Sequence, residues 1–203
     1  MEPRPAATVV VVRSVGPAND LEFLVLRRGG TSRFAPGFVV FPGGVVEPED
    51  PTRARDWFGD DEQAARACGA LRELAEETGL VMTSAGLIEG PGHLPGDQGF
   101  PPPDPSTVPE IARWVAPEFL PVRFDARFFS LAAEQPVRPV PDGVEIEEAW
   151  WSPAEEVLAG LRTGDVQLMW PTFRTLEALT GCRTVEDVLQ LRVEAVPPPI
   201  APS

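Results

Sequence analysis

Short apolar runs divided by turn residues dominate the first quarter of the chain. Residues 6–14 and 21–28 are rich in valine and leucine and are separated by the turn sequence GPAND. Aliphatic and β-branched runs of this length, bounded by glycine, proline and asparagine, predict neighbouring strands. A third short strand is predicted within residues 38–47, where Gly43 and Gly44 interrupt the run. A glycine pair there indicates a tight turn or a backbone that approaches another group closely.

The pattern changes to a helical period over residues 61–78. Six apolar side chains fall on one stripe of that helix: Ala64, Ala67, Cys68, Leu71, Leu74 and Ala75. Asp60 or Asp61 is a suitable N-cap, and Gly79 occupies the position expected just past a helix C-terminus. An amphipathic helix that packs its apolar stripe on the sheet is therefore predicted.

The remaining pattern alternates strands, loops and helices. Strands are predicted at 80–88, 111–117, 122–133 and 144–152, and helices near 153–163, 171–180 and 184–192. Residues 48–60 are interpreted as irregular, 89–108 as a long loop and 194–203 as a disordered tail. This order predicts an α/β or α+β layered domain with a mixed sheet, formed as a single domain by residues 1–193.

Charge and composition narrow the function. The net charge of -14 argues against a general nucleic-acid binder, because phosphate backbones require clustered positive charge. No apolar run approaches the roughly 20 residues of a membrane span and the N-terminus lacks a signal pattern, so a soluble cytoplasmic protein is expected. The 17 basic residues are all arginine, which excludes lysine Schiff-base chemistry and a Walker-type phosphate loop. The two cysteines form no disulfide framework.

Three glutamates crowd the last turns of the predicted helix. Glu73, Glu76 and Glu77 are spaced i, i+3 and i+4, so their side chains converge over one patch. At about 4 Å two like charges repel by roughly 4 kcal/mol at an effective dielectric near 20, and the helix C-terminus adds a further penalty. The alternative interpretation is a solvent-exposed acidic face with no ligand. Bound divalent cations, however, would turn both the like-charge repulsion and the unfavourable interaction with the helix C-terminus into favourable interactions. Oxygen-only ligands favour Mg²⁺ or Mn²⁺. Gly69 on the same face leaves room beside the metals or serves packing.

These residues resemble the signature of the Nudix hydrolases, which cleave nucleoside diphosphates linked to another group. The second half of the signature is matched by Arg72, Glu73, Leu74, Glu76, Glu77, Gly79 and Leu80. The first half departs from it, because Asp50 stands where the family has glutamate and an insertion of about 14 residues, near 51–64, precedes the helix. Glu47 and Asp50 are therefore both candidates to complete the metal site.

A segment upstream of the helix resembles one branch of that family, the coenzyme A diphosphatases. Counting back from Phe41-Pro42-Gly43-Gly44, Gly37, Arg33 and Arg28 are in register with the pattern of that branch. Leu26 and Gly29 depart from it. The resemblance implies that Arg28 and Arg33, with Gly43 and Gly44, bind a diphosphate or the 3'-phosphate of coenzyme A. The alternative is that both arginines are ordinary surface residues.

The resemblance also implies a fold and a mechanism. It implies an α/β/α sandwich with the catalytic helix packed on a mixed sheet. Glu73, Glu76 and Glu77, with the Gly44 carbonyl, would bind Mg²⁺ or Mn²⁺, and Arg72 would orient the glutamates. Glu77 or a glutamate of VEIEEAWW, with Glu145 preferred over Glu147 and Glu148, would be the general base. His93 has no partner motif, and Trp150 and Trp151 should face opposite sides of a strand.

The expected substrate is a small diphosphate. Coenzyme A or acyl-coenzyme A, cleaved to 3',5'-ADP and (acyl)phosphopantetheine, is the leading expectation. ADP-ribose, NADH or another nucleoside diphosphate derivative is the alternative within the enzyme class. A domain that binds a nucleotide without cleaving it is the alternative outside that class. The resemblance further suggests a homodimer.

Overall fold

A mixed β-sheet forms the centre of the fold in a computed structural model that describes residues 2–32, 34–92 and 102–197. The strands of this part of the chain are β1 (Arg4–Val15), β2 (Asp20–Arg28), β3 (Val39–Val40), β4 (Gly43–Val45), β5 (Leu80–Thr83), β6 (Gly86–Glu89), β7 (Glu110–Val115), β8 (Phe124–Ala132) and β9 (Ile146–Ser152). Strands β5 and β6 form a separate hairpin, and the other seven belong to one sheet. The pairing of β1 with β8 is parallel, whereas the other strand pairs are antiparallel, which makes the sheet mixed.

The sheet contains a fork between β1 and β2. These strands pair only where Val12–Val15 meets Asp20–Phe23, next to the turn that joins them. Beyond this point β3 pairs with the far end of β2, and β4 pairs with Ala6–Thr8 of β1. The segment from β3 to β4 therefore fills the fork. As a result, the backbone of Gly43 and Gly44 lies within the sheet rather than on a surface turn.

Five helices cover the two faces of the sheet within the described ranges. They are α1 (Asp50–Trp57), α2 (Glu62–Thr78), α3 (Ala154–Thr163), α4 (Trp170–Leu179) and α5 (Val185–Leu189). The caps predicted for α2 are confirmed, because the Asp61 carboxylate accepts the Ala64 N–H at 2.7 Å and Gly79 has a left-handed φ of 66°. A 3₁₀ turn at Pro105–Thr107 precedes β7.

Side chains of β1 alternate between two apolar clusters, one on each face of the sheet. Val9 and Val11 pack with α1, α2 and the β5–β6 hairpin, whereas Val10 and Val12 pack with α3, α4 and α5. Burial on both faces explains why the valine run of β1 is continuous rather than alternating with polar residues. The predicted α/β fold, with a mixed sheet and the glutamate helix packed on it, is confirmed.

Two aromatic pairs follow the same alternation. Trp151 packs against the cluster on the α2 side and Trp150 against the opposite cluster, as predicted. Phe129 and Phe128 divide in the same way, and both are buried. These side chains therefore belong to the core packing.

Two predicted elements differ from the structure. Residues 48–60, predicted to be irregular, contain α1, whose first turn holds Pro51 where a missing N–H costs nothing. Residues 80–88, predicted to be one strand, form most of the β5–β6 hairpin, which turns at residues 84–85 just before Gly86, whose φ is 101°. In both segments the run of apolar residues was too short for its spacing to distinguish a helix from irregular chain, or a hairpin from a single strand.

The predicted 89–108 loop and the predicted 194–203 tail lie partly outside the described residues. His93 and the central part of the 89–108 loop lie outside them, as do residues 198–203. The Val196 carbonyl accepts a hydrogen bond from Trp170 Nε1 at 2.6 Å, so the start of the predicted tail contacts α4. No helix among residues 2–32, 34–92 and 102–197 is long and apolar enough to cross a membrane.

Candidate active site

The last two turns of α2 place three glutamates beside the fork in the sheet. Glu77 is 4% exposed, and its Oε2 accepts the Gly43 N–H at 2.9 Å. Glu73 is mostly buried, whereas Glu76 is about half exposed. The sequence predicted that the three carboxylates share one face. In the structure that face packs against the sheet at Glu77, so Glu77 is buried rather than solvated.

Gly44 and Gly43 allow this close approach of helix and strand. A Cβ built on Gly44 would overlap the Glu73 carboxylate. A Cβ on Gly43 would lie 2.7 Å from the Thr8 Cα in the neighbouring strand. Of the two roles proposed for the glycine pair, the structure shows the close backbone approach rather than a turn.

Arg72 connects the glutamates to the sheet and to α1. Its Nε lies 3.1 Å from Asp50 Oδ1, and its NH1 lies 2.8 Å from Glu76 Oε2 and 3.0 Å from Glu73 Oε1. Its NH2 donates to the Val45 carbonyl at 2.9 Å. Burial alone would lower the pKa of Arg72, but the Asp50 hydrogen bond and the surrounding carboxylates raise it above its usual value. Arg72 therefore stays charged and ties three carboxylates together.

Asp50 and Glu47 occupy different places in this network. Asp50 is fully buried, and its Oδ2 accepts the Glu47 N–H at 2.8 Å and faces Arg72 NH2 at 3.3 Å. Glu47 is about half exposed, with a carboxylate oxygen 3.7 Å from Arg72 Nε. A metal-ligand role for Asp50 stays a prediction. The contacts favour Glu47 as the additional ligand and Asp50 as the group that orients Arg72.

Gly69 makes room for Asp50 rather than for a substrate. A Cβ on Gly69 would lie 2.9 Å from Asp50 Oδ2. The packing alternative given for this glycine is therefore the one that the structure shows.

Arg28 and Glu145 contact each other within electrostatic range of Glu73 and Glu77. Arg28 NH2 lies 3.5 Å from Glu145 Oε2, and its Nε donates to the Phe34 carbonyl at 3.0 Å. The positive charge of Arg28 acts on Glu77, and the negative charge of Glu145 acts on both Glu73 and Glu77. The structure therefore brings Arg28 and Glu145 to the carboxylate patch. Arg33, predicted beside Arg28, lies outside the described residues.

The other two glutamates of the VEIEEAWW segment are engaged elsewhere. Glu148 pairs with Arg27 at 2.8 Å, and Glu147 accepts the Gly30 N–H at 3.3 Å. The pairing of β2 with β9 shifts register between Arg27, which is opposite Glu148, and Arg28, which is opposite Ile146. Strand alternation is therefore interrupted at Glu147, although it holds further along at Trp150 and Trp151. Glu145 is the member of the segment that faces the patch.

Burial favours the neutral form of two carboxylates of the patch, Glu73 and Glu77, by raising the pKa of each. Burial raises the pKa of Glu73 to about 7, against the lowering effect of Arg72, and nearby Glu76 and Glu145 add to the rise. Burial also raises the pKa of Glu77 well above its usual value, and Glu73 adds to it. A nearby divalent cation would oppose both effects.

The donor set fits a hard divalent cation. The available oxygens are those of Glu73, Glu76, Glu77 and Glu47 and the Gly44 carbonyl, which suit Mg²⁺ or Mn²⁺. Within the described part of the chain, no three acidic, histidine or cysteine side chains already converge in a metal-binding arrangement. Arg72 holds Glu76, and the Gly43 N–H holds Glu77. Side-chain rotation of these glutamates would therefore accompany binding.

The free energy of unfolding of the metal-free protein should fall as pH rises from about 5 to 8. The folded pKa of Glu73 is about 7 against a usual 4.5, so in this window the unfolded chain releases a proton that the folded protein keeps. Urea unfolding in EDTA measures this dependence. Glu73→Gln removes the titrating group, and an unchanged slope in that variant would contradict the assignment.

Gly44→Ala should weaken Mn²⁺ binding by at least about tenfold, because the added Cβ displaces the Glu73 carboxylate. Titration of the apoprotein with Mn²⁺ by electron paramagnetic resonance measures the affinity. Gly30→Ala is the matched control, since a Cβ there meets nothing within 4 Å. Equal affinities in the two variants would argue against Glu73 as a ligand.

Asp142 is a site-proximal residue that the sequence did not identify. Its carboxylate accepts backbone N–H groups from the loop that carries Glu145. The turn signal Pro141-Asp142-Gly143 was available in the sequence, because aspartate before glycine commonly bonds its own backbone at a turn. A cavity of about 460 Å³ opens beside Glu76, with Arg138 and Asp142 among the residues that line it.

The sequence and the structure of the chain are both similar to those of known proteins. The model of the NUDIX domain matches residues 2–175. The crystal structure of a NUDIX hydrolase from Alicyclobacillus acidocaldarius is 31% identical, with a TM-score of 0.79, and the match covers 96% of this chain and 99% of that one.

Two further similarities are more limited. The NUDIX domain of NrtR from Shewanella oneidensis, solved with ADP ribose, is 13% identical with a TM-score of 0.54, and the match covers 87% of this chain and 86% of that one. It shows the fold alone. A relative from Caenorhabditis elegans named nudix hydrolase 7 is 43% identical over 63 residues, which span 31% of this chain and 18% of the relative. The matched segment is thus less than a fifth of that relative's length.

Proposed function

Because the chain belongs to the NUDIX domain family of hydrolases, we propose that it is a divalent-metal-dependent diphosphatase. The observation that carries this proposal is the patch formed by Glu73, Glu76 and Glu77 against the glycine backbone of β4. An acidic group of this kind has an electrostatic cost in the free protein that a cation would relieve. Members of this family generally depend on a divalent metal, which agrees with the oxygen donor set.

The residues of the chain would divide the chemistry as follows. A bound Mg²⁺ or Mn²⁺ would neutralise diphosphate charge and lower the pKa of a water molecule. Arg72 keeps Glu73 and Glu76 in place through its two short contacts. Arg28, mostly buried beside the patch, would bind a phosphate oxygen. Glu145, whose side chain is 66% exposed, would accept the proton of the attacking water at its carboxylate oxygen.

Coenzyme A or an acyl-coenzyme A is the substrate that we propose. The support is the resemblance of residues 24–44 to the coenzyme A diphosphatases, together with the positive charge of Arg28 within electrostatic range of Glu77. The products would be 3',5'-ADP and (acyl)phosphopantetheine. ADP-ribose is the second candidate. The likeness to an ADP-ribose complex shows only the shared fold, so it does not raise ADP-ribose above coenzyme A.

A substrate panel tests both levels of the proposal. The protein with Mg²⁺ or Mn²⁺ is incubated separately with coenzyme A, acetyl-coenzyme A, ADP-ribose and NADH, and the products are separated by liquid chromatography with mass detection. Release of 3',5'-ADP from the first two supports the coenzyme A assignment. Preferred cleavage of ADP-ribose or NADH replaces the substrate but keeps the enzyme class. Turnover of none of them, with a nucleotide still bound, would favour a non-catalytic nucleotide-binding domain.

We also propose that residues 1–193 act as one domain and that the chain forms a homodimer, as the resemblance suggests. Light scattering coupled to size-exclusion chromatography measures the oligomeric state, since a dimer has twice the chain mass of 22.0 kDa.

A further inference from the structure

One aspartate, Asp142, binds the backbone at the end of the loop between β8 and β9. The carboxylate of Asp142 accepts three backbone N–H groups, from Val144 at 3.0 Å, from Glu145 at 3.1 Å and from Ile146 at 2.9 Å. Gly143 turns the chain between them with a φ of 71°, and its N–H donates to the Ile146 carbonyl at 3.1 Å. One side chain therefore fixes the backbone on both sides of Glu145.

A second set of contacts fixes the same peptide from the Arg28 side. The Glu145 carbonyl accepts the Gly29 N–H at 2.8 Å and the Ser32 hydroxyl at 3.2 Å. The N–H and the carbonyl of Glu145 are thus both engaged, the first by Asp142 and the second by the loop that follows β2. The Glu145 carboxylate in turn lies 3.5 Å from Arg28 NH2.

This combination is unusual for an exposed residue. The side chain of Glu145 is 66% exposed, and exposed loop residues commonly have mobile backbones. Here the N–H and the carbonyl of Glu145 are both hydrogen-bonded while its carboxylate stays accessible. A reactive group gains from such an arrangement, because a misplacement of about 1 Å can cost a hundredfold in rate.

We propose that Asp142 is a positioning residue that holds Glu145 at the diphosphate site. This inference rests on the proposed function, in which Glu145 is the proton acceptor. Among the described residues, Asp142 makes no hydrogen bond or ion pair with the Glu145 carboxylate or with Arg28, and it accepts backbone N–H groups of residues 144–146, so it acts through the backbone of the loop. The three bonds require an acceptor oxygen and no charge, and asparagine can supply that acceptor. The role of Asp142 is therefore separable from any role of its charge at the cavity beside Glu76.

The test compares two substitutions at this position in full-length protein with saturating Mg²⁺. Asp142→Ala should lower kcat about tenfold with little change in KM, because substrate contacts stay in place while the proton acceptor becomes mobile. Asp142→Asn should retain kcat within about threefold of the original protein. Asp104→Ala is the matched control, since Asp104 is an exposed aspartate that accepts the Ser106 N–H at 2.9 Å in another loop. It should leave kcat unchanged.

A double-substitution cycle shows whether Asp142 acts through Glu145. In a Glu145→Gln background, Asp142→Ala should cause little further loss of kcat. Full additivity of the two losses would overturn the proposal, as would an unchanged kcat in Asp142→Ala.

Hydrogen exchange separates this inference from the proposed function. The amides of residues 144–146 should exchange at least about tenfold faster in Asp142→Ala than in Asp142→Asn. Unchanged protection would overturn the positioning role even in an active enzyme. If the protein hydrolyses no diphosphate but the amides lose protection, the loop contacts stand while the proposed function and the catalytic part of this inference fail.

Discussion

Glu77→Gln is expected to lower kcat by at least about 10³-fold, a loss of roughly 4 kcal/mol in transition-state stabilisation. Glutamine matches the shape of Glu77 and can still accept the Gly43 N–H, but it cannot supply the negative charge that a cation requires. Since burial already favours the uncharged form of Glu77 in the metal-free protein, the substitution should not reduce stability in EDTA. Hydrolysis assays measure kcat, thermal unfolding in EDTA measures stability, and Mn²⁺ titration measures the metal affinity, which should also fall.

Glu156→Gln provides the control for this prediction. Glu156 is an exposed glutamate in the first turn of α3, on the opposite side of the sheet from α2. It should retain full activity and metal affinity. Glu76→Gln, which alters the exposed member of the patch, should follow Glu77→Gln in both measurements. If hydrolysis and metal affinity were unchanged in Glu76→Gln and Glu77→Gln, the carboxylate patch would not be the metal site.

Arg72→Ala is expected to destabilise the protein by about 3 to 5 kcal/mol, because it removes the hydrogen-bonded cation from the fully buried Asp50 carboxylate. The same change should abolish most activity, since Glu73 and Glu76 lose the contacts that orient them. Arg72→Lys should retain only part of the stability and part of the activity, because a lysine ammonium cannot reproduce the forked contacts of the guanidinium. Urea unfolding measures the stability, and the substrate assay measures the activity.

Arg53→Ala is the matched control for Arg72→Ala. Arg53 also approaches Asp50, at 3.9 Å, but it lies at the surface of α1 with 36% of its side chain exposed. Because the 3.9 Å separation is longer than a hydrogen bond and Arg53 is partly exposed to water, removing it should cost only about 0 to 1 kcal/mol. Asp50→Asn combined with Arg72→Ala should be less harmful than the sum of the two changes. Equal unfolding free energies for Arg53→Ala and Arg72→Ala would show that the buried pair is not important for stability.

The helix that carries the site was predictable from local sequence alone. The helix was predictable because its signals depend only on residues close to one another in sequence. These signals are its apolar stripe, its Asp61 N-cap and the terminal Gly79. The spacing of Glu73, Glu76 and Glu77 then places them on one face in any α-helix.

The surroundings of those glutamates were not predictable in the same way. Asp50 and Glu47 lie three residues apart, and local sequence gives no reason to bury one and expose the other. The difference in burial results from the packing of α1 on α2, which places Asp50 against Arg72 and Gly69. The segment that forms α1 was expected to be irregular. A short helix with few apolar residues forms through tertiary contacts more than through its own propensity.

The sequence by itself determined α2, the shared face of its three glutamates and the layered α/β fold. These features depend on periodicity and caps, which act between residues close in the chain. Only the tertiary structure decided that Gly43 and Gly44 lie under the glutamates, that Asp50 is the buried partner of Arg72 and that Glu145 faces Arg28. Each of these contacts joins segments far apart in the chain, so it depends on how the strands pair and the helices pack.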